Sequence, residues 1–166
     1  MRYLRAPLAG PLVFQSAGQF HSSRAWKHTR RVINSYEIVI GVRGILHIQQ
    51  SDEPHAIGPG DVLVLVPGEE HFGHLPCEPG VSFYWIHFLC PNGSDLRHER
   101  EPEGGPDPAL TLPLRFRPAN GKRVEILFHQ LQHLANSAIR YPQAPHFALT
   151  SLLLELAEQA FAAEKG

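Results

Sequence analysis

Between Tyr36 and Phe88, apolar residues recur in short runs that are cut at Gly44, at Gly58-Pro59-Gly60-Asp61, at Pro67-Gly68 and at His71. Runs of this length with a period of two predict strands, because successive strand side chains point to opposite faces. Tyr36, Ile38, Ile40 and Val42 share one face and Glu37, Val39, Gly41 and Arg43 the other, which predicts a strand with one wetter face. Gly44 ends it. Ile45 to Gln49 predicts a second strand, and Ser51-Asp52-Glu53-Pro54 supplies turn chemistry before a short strand around His55 to Ile57. Gly58 to Asp61 reads as a tight turn into Val62 to Val66, an apolar run whose two faces both need cover. Pro67-Gly68 stops that run, and His71 to Leu75 and Val81 to Leu89 predict two more strands. Many short strands at close spacing argue for a sandwich or barrel rather than an α/β fold.

The flanks differ in kind. Residues 1–20 mix Leu4, Leu8, Leu12, Val13, Phe14 and Phe20 with Pro7, Gly10, Pro11 and Gly18, which suits an extended N-terminal arm able to pack over a cavity mouth, or a frayed start followed by an edge strand. The barrel is expected over 21–116, with a mobile polar loop at about 91–108 and a last strand from Leu110 to Phe116. After Pro118 the period changes. Val124, Leu127, Phe128, Leu131, Leu134, Ala135 and Ala138 follow helical spacing over about five turns, until Tyr141-Pro142 through Pro145 breaks the pattern. A second helix is predicted from about His146 to Ala163, so that 117–164 forms a two-helix element. Leu149, Leu152, Leu153, Leu156 and Ala160 form one stripe on it, and Phe147, Leu154 and Phe161 form another. One stripe can face the barrel or the first helix; the other needs cover, which a second copy of the chain or the monomer itself can supply.

Composition narrows the function classes. In 166 residues, 15 Lys and Arg stand against 16 Asp and Glu, giving a formal charge of −1 rather than the basic footprint of a DNA-binding domain. The length suits one domain with appendages. Two cysteines, Cys77 and Cys90, are too few for a disulfide scaffold, and no signal-peptide pattern opens the chain, so a cytoplasmic setting is expected, with no membrane partner.

The ordered pieces resemble the cupin superfamily, and more closely the N-terminal ligand-binding and dimerisation domain of AraC-family transcription regulators. The cupin-like pieces are Glu37, six residues and Gly44, then Gly60-Asp61 followed by Pro67-Gly68-Glu69-Glu70-His71. The AraC-like pieces are Pro67-Gly68-Glu69-x-His71, Ser82-Phe83-Tyr84-Trp85-Ile86-His87-Phe88 and Trp26-x-His28-x-x-Arg31. The resemblance implies a mainly β fold, a cupin-like double-stranded β-barrel (jelly roll), followed by two C-terminal α-helices that mediate dimerisation. It also implies a C-terminal DNA-binding domain with two helix-turn-helix units, which is expected to be absent from these 166 residues.

The chain departs from the metal-binding cupin pattern. Metal cupins carry two histidines just ahead of the motif Glu; here those places fall on Arg31 and Ile33, or Arg30 and Val32. Glu37 and His71 alone are too few for a catalytic ion, which commonly has three protein ligands. His74 does not repair the set, since residues three apart on a strand face opposite sides. No metal, no cofactor and no enzyme activity are therefore expected, the alternative being a stand-alone cupin enzyme, a sugar isomerase or dioxygenase, with a non-standard metal site. Phe83, Trp85 and His87 share one strand face and Tyr84, Ile86 and Phe88 the other, leaving open which face is inward. A Trp can stack on a sugar ring or planar ligand while Arg and His fix its orientation; plain core packing is the other role open to Phe83 and Trp85. In the resemblance the Trp packs on a bound sugar, and an Arg near Arg30 or Arg31 bonds it. Arg31 beside Glu37 can be a ligand clamp or a salt bridge; Glu37, Arg43, Glu69 and Glu70 otherwise read as solvated or turn charges.

The candidate ligand-binding set is therefore Arg30, Arg31, Glu37, His71, Phe83, Trp85 and His87, and the candidate dimerisation set is Leu127, Leu131, Leu134, Phe147, Leu154 and Phe161. The expected partners are a small-molecule effector, a sugar or another metabolite, and a second copy of the chain. DNA is expected only through the missing domain.

Overall fold

The computed structural model describes residues 1–100 and 105–166. In chain order the elements are β1 (Tyr3–Pro7), β2 (Val13–His21), β3 (Arg31–Val32), β4 (Tyr36–Arg43), β5 (Leu46–Gln50), β6 (Glu53–Ile57) and β7 (Val62–Leu65). There follow β8 (Glu70–Phe72), β9 (Ser82–Leu89), β10 (Asp95–Arg97), β11 (Ala109–Pro113), β12 (Arg115–Phe116), α1 (Gly121–Asn136) and α2 (Ala144–Lys165). The fold is mainly β with two C-terminal helices, as the sequence pattern predicts. The chain divides into two compact units, residues 16–87 and residues 1–15 with 88–166.

Within residues 16–87 one sheet runs in the order β7-β4-β9-β2 and another in the order β3-β8-β5-β6. Val39, Leu63, Leu65 and Phe83 from the first sheet and Leu46, Ile48 and Ile57 from the second join Cys77 and Val81 in one core cluster. Both sheets thus bury their inner faces against each other. The wetter face expected on β4 is not found, since Tyr36 through Gly41 are all buried. Glu37 shares its strand face with the core residue Val39 and is met there by Arg31, so it is not the solvated charge that its neighbours suggested.

Turns set the register. At Gly58-Pro59-Gly60-Asp61 the Asp61 N–H donates to the Gly58 carbonyl at 3.0 Å, and Gly60 has φ +85°, as the third position of a type II turn requires. The turn docks on β4 so closely that a Cβ on Gly41 would lie 2.0 Å from the Gly58 carbonyl oxygen. Ile45, expected in β5, is exposed and precedes the strand. The strand expected from His71 to Leu75 stops at Phe72, because the chain must then pass close to another backbone. The Gly73 N–H donates to the His28 carbonyl at 3.0 Å, and a Cβ on Gly73 would lie 2.6 Å from the His28 nitrogen. Trp26 and Cys77 exchange two backbone hydrogen bonds at 3.1 and 2.7 Å, so the segment carrying Trp26 and His28 is pinned at two points.

In the other unit a three-stranded sheet runs β10-β1-β11, with Leu4 opposite Leu96 and Leu112. Residues 1–20, expected as an arm, are extended but built into sheets: β1 is bonded along both edges, with Leu4 and Ala6 fully buried, and β2 continues to His21. The polar stretch expected as one loop at 91–108 contains β10; its residues 101–104 lie outside the described residues. The expected last strand is divided at Leu114, whose N–H donates to the Arg2 carbonyl at 2.9 Å. Val124, Phe128 and Leu131 of α1 are buried, as are Leu149, Leu152, Leu153, Leu156 and Ala160 of α2, which packs on α1 and β11. Pro145 opens α2 rather than breaking a helix, because proline is tolerated in a first turn whose N–H groups have no intrahelical acceptor. Among the described residues no helix is long and apolar enough to cross a membrane.

Candidate ligand-binding site

A cavity of about 280 Å³ opens within residues 16–87. Four aromatic side chains wall it: Phe20 from β2, Trp26, and Phe83 and Trp85 from β9. Phe20 stacks on Phe83 with ring centroids 5.0 Å apart and leans on Trp26 at 4.2 Å. Trp85 lies against the bare backbone of Gly18, where a Cβ would sit 2.6 Å from its Cζ2. The strand parity of β9 thus puts Phe83, Trp85 and His87 on the cavity face. Phe83 belongs to the core cluster and lines the cavity at once, so its two candidate roles are not exclusive.

The polar part of the wall is His28, Thr29, Arg31, Glu37 and His87. Arg31 is its hub. Its Nη2 donates to Glu37 Oε2 at 2.8 Å and its Nε donates to His71 Nε2 at 2.9 Å. His87 Nε2 lies 3.7 Å from the same Glu37 oxygen, while His87 Nδ1 is 2.8 Å from Ser35 Oγ. These bonds fix two tautomers. Because His71 Nε2 accepts from Arg31, the neutral ring carries its proton on Nδ1, which is buried without a partner among the described residues. Because the Thr29 carbonyl can only accept, His28 Nδ1 is the donor in their 2.7 Å bond, and its Nε2 is left as an acceptor.

Burial decides the charge states. Desolvation pushes the Glu37 carboxyl up to about 7, outweighing the opposing pull of Arg31. His71 is held down to about 3, first by burial and then by the positive fields of His28, Arg31 and His87. Burial and Arg31 also lower the pKa of His87; burial, against a bond to the Thr29 carbonyl, lowers that of His28. The site is therefore one guanidinium and one carboxyl group surrounded by neutral imidazoles.

Five of the seven candidate ligand-binding residues meet at this cavity: Arg31, Glu37, Phe83, Trp85 and His87. His71 stands behind the wall, touching Arg31. Arg30 points elsewhere, pairing with Glu70 and lying 3.7 Å over the Phe72 ring, because neighbouring positions on β3 and its approach alternate in direction. Four wall residues, Phe20, Trp26, His28 and Thr29, are absent from the sequence-derived set. The Trp26-x-His28-x-x-Arg31 spacing signals Trp26 and His28; Thr29 falls on one of its open positions and Phe20 lies outside it. In the helical element, Leu131 is fully buried within the chain, on the inward stripe with Val124 and Phe128, and has no surface for a second copy. Leu127 and Leu134 are partly buried, and Phe161 is flanked by Arg100 and Lys165. Phe147 and Leu154 are exposed, at 60% and 40%.

Fold and cavity define a β domain with an aromatic and ion-paired cleft and a helical C-terminal element. Residues 13–157 match the AraC-like ligand binding domain, and the chain belongs to that family. It is 24% identical over 161 residues to the uncharacterized HTH-type transcriptional regulator YisR of Bacillus subtilis (strain 168), covering 90% of this chain and 56% of that relative. The chain thus spans little more than half the length of the curated relative it matches. Among solved structures it is similar to a predicted oxalate decarboxylase from Thermotoga maritima, with TM-score 0.41 and 16% identity over 46% of this chain and 67% of the other. It is also similar to KdgF from Halomonas sp., with TM-score 0.39 and 18% identity over 52% and 78% of the two chains.

Proposed function

We propose that this chain is the effector-sensing part of a cytoplasmic transcription regulator, that it binds a small molecule, a sugar or another metabolite, between the aromatic walls and the Arg31 cluster, and that it pairs with a second copy through α2. The observation that carries the reading is the cavity itself: in a chain of the ligand-binding-domain family, Trp85 and Phe83 face it from one strand and Arg31 is fixed at its rim. Stacking surface with a few oriented polar groups is the composition of a small-molecule site. DNA would be engaged by a separate helix-turn-helix region of the intact protein, of the kind named in the Bacillus relative. No step of this role requires catalysis.

Thermal denaturation in the presence of a panel of pentoses, hexoses and small metabolites tests it. A ligand at a hundred times its Kd stabilises the fold by about 2.7 kcal/mol, which raises the Tm by several degrees in a chain of this size. Arg31→Ala is expected to abolish the rise. A panel in which no compound moves the Tm would sink the reading.

A further inference from the structure

Arg31 is the one Arg or Lys on the cavity wall among the described residues, and two of its nitrogens are already engaged inside the protein. Its Nη2 is bound to Glu37 and its Nε to His71, leaving Nη1 with no bond among the described residues. Glu37 comes from β4, is only 3% exposed, and lines the cavity beside the guanidinium. The groups facing it are Arg31 from β3 and His87 from β9; His71 from β8 touches Arg31, and His28 packs edge-on against His71. With both partners ionised, the cleft carries no net charge. An anionic ligand entering it must either displace the carboxylate from Arg31 or lie beside it, and like charges at contact distance in a partly desolvated site repel strongly.

We propose that Glu37 is the specificity determinant of this site, a built-in anion on Arg31 that makes the cavity select uncharged hydrogen-bonding ligands and reject carboxylates and phosphates. This deepens the small-molecule reading above and rests on it. An uncharged ligand keeps the Arg31–Glu37 pair intact, accepts from Nη1, and donates to His28 Nε2. The charge selection is conditional. The Glu37 carboxyl titrates near neutrality, so below about pH 7 it loses its charge, Arg31 is uncompensated, and the same cavity admits an anion with uptake of one proton.

Benzoate and its uncharged isostere benzamide, both flat enough for the aromatic walls, separate the possibilities when followed by the fluorescence of Trp26 and Trp85. At about pH 8.5 the Glu37→Gln protein is expected to bind benzoate at least about tenfold more tightly than the natural chain, while benzamide binds both alike. Between about pH 8.5 and 5.5 the natural chain should gain a similar factor for benzoate, and Glu37→Gln should change by less than about threefold. The pH comparison on the natural chain needs no variant, so a folding defect in Glu37→Gln does not shelter the proposal. Benzoate binding to the natural chain at about pH 8.5 as tightly as to Glu37→Gln would overturn the charge selection while leaving the small-molecule reading standing. Failure of both probes with both proteins at either pH would overturn the charge selection, while the small-molecule reading stands or falls on the wider panel above.

Discussion

At the scale of single residues, the fold depends on a histidine that must stay neutral. His71 is fully buried, accepts from Arg31, and titrates near 3, whereas in the unfolded chain it titrates at 6.5. The unfolded state therefore holds more protons between those values, and stability rises with pH across that window and is lost as pH falls through it. Glu37 acts in the opposite sense. The fold keeps its proton up to about 7 while the unfolded chain gives it up near 4.5, so its contribution falls as pH rises between these values. Urea midpoints measured from about pH 3.5 to 7.5 should show His71→Gln losing the rising limb and Glu37→Gln losing the falling one. Profiles parallel to the natural chain would refute both assignments. A third residue needs no charge: Gly41→Ala should cost about 1–3 kcal/mol, because its Cβ would press on the Gly58 carbonyl across a turn that cannot retreat without losing two backbone hydrogen bonds.

At the scale of elements, the helices present two separable tests. The Asn120 side chain caps α1 by accepting from the Arg123 N–H at 3.1 Å, while Gln159 of α2 bonds both the N–H and the carbonyl of Asn120. Asn120→Ala is expected to cost about 1 kcal/mol by thermal denaturation. On the outer side of α2, Phe147 and Leu154 offer apolar surface that the chain itself leaves exposed. If a second copy covers them, Phe147→Glu with Leu154→Glu should convert a dimer to a monomer in sedimentation velocity without lowering the Tm of the isolated chain by more than about 1 kcal/mol equivalent. A natural chain that sediments as a monomer would end that proposal. The elements were the most legible level of the sequence. Period-two runs and Gly-Pro turns mark β4 through β9, and the stripe Leu149, Leu152, Leu153, Leu156 and Ala160 of α2 is buried together with Pro145 and Gln159, which the stripe does not include. What period alone could not give was long-range pairing: β1 looks like an arm because nothing local reveals that β10 and β11 flank it, and β10 hides in a stretch rich in Gly and Pro. The site followed the same rule. Parity groups Phe83, Trp85 and His87 on one face of β9 but does not say which face is inward, and it puts Glu37 on a face that reads as wet, whereas Trp26, His28 and Thr29 sit on an irregular segment positioned by backbone bonds to Gly73 and Cys77.

At the scale of the molecule, the near-balance of charge, −1 in 166 residues, bounds what these residues do by themselves. Affinity for DNA is dominated by phosphate neutralisation, so the isolated chain should bind a duplex no better than about the weakest nonspecific range, with little salt dependence. Fluorescence anisotropy with a labelled duplex checks this, and tight, steeply salt-dependent binding would contradict it. In a ligand-binding domain with such a surface the interior matters most, and there the vacancy at Gly18 has a reach beyond its own position. The indole of Trp85 occupies the space where a β-carbon would be, so the bore of the cleft is set by an atom that is missing from a residue outside the cavity lining. Alanine at that place would drive the indole inward and shrink the chamber, while the polar groups of the wall stayed where they are. Size and chemistry of the preferred molecule are thereby separate dials, and a change of guest can begin with a single methyl group on the opposite side of the wall.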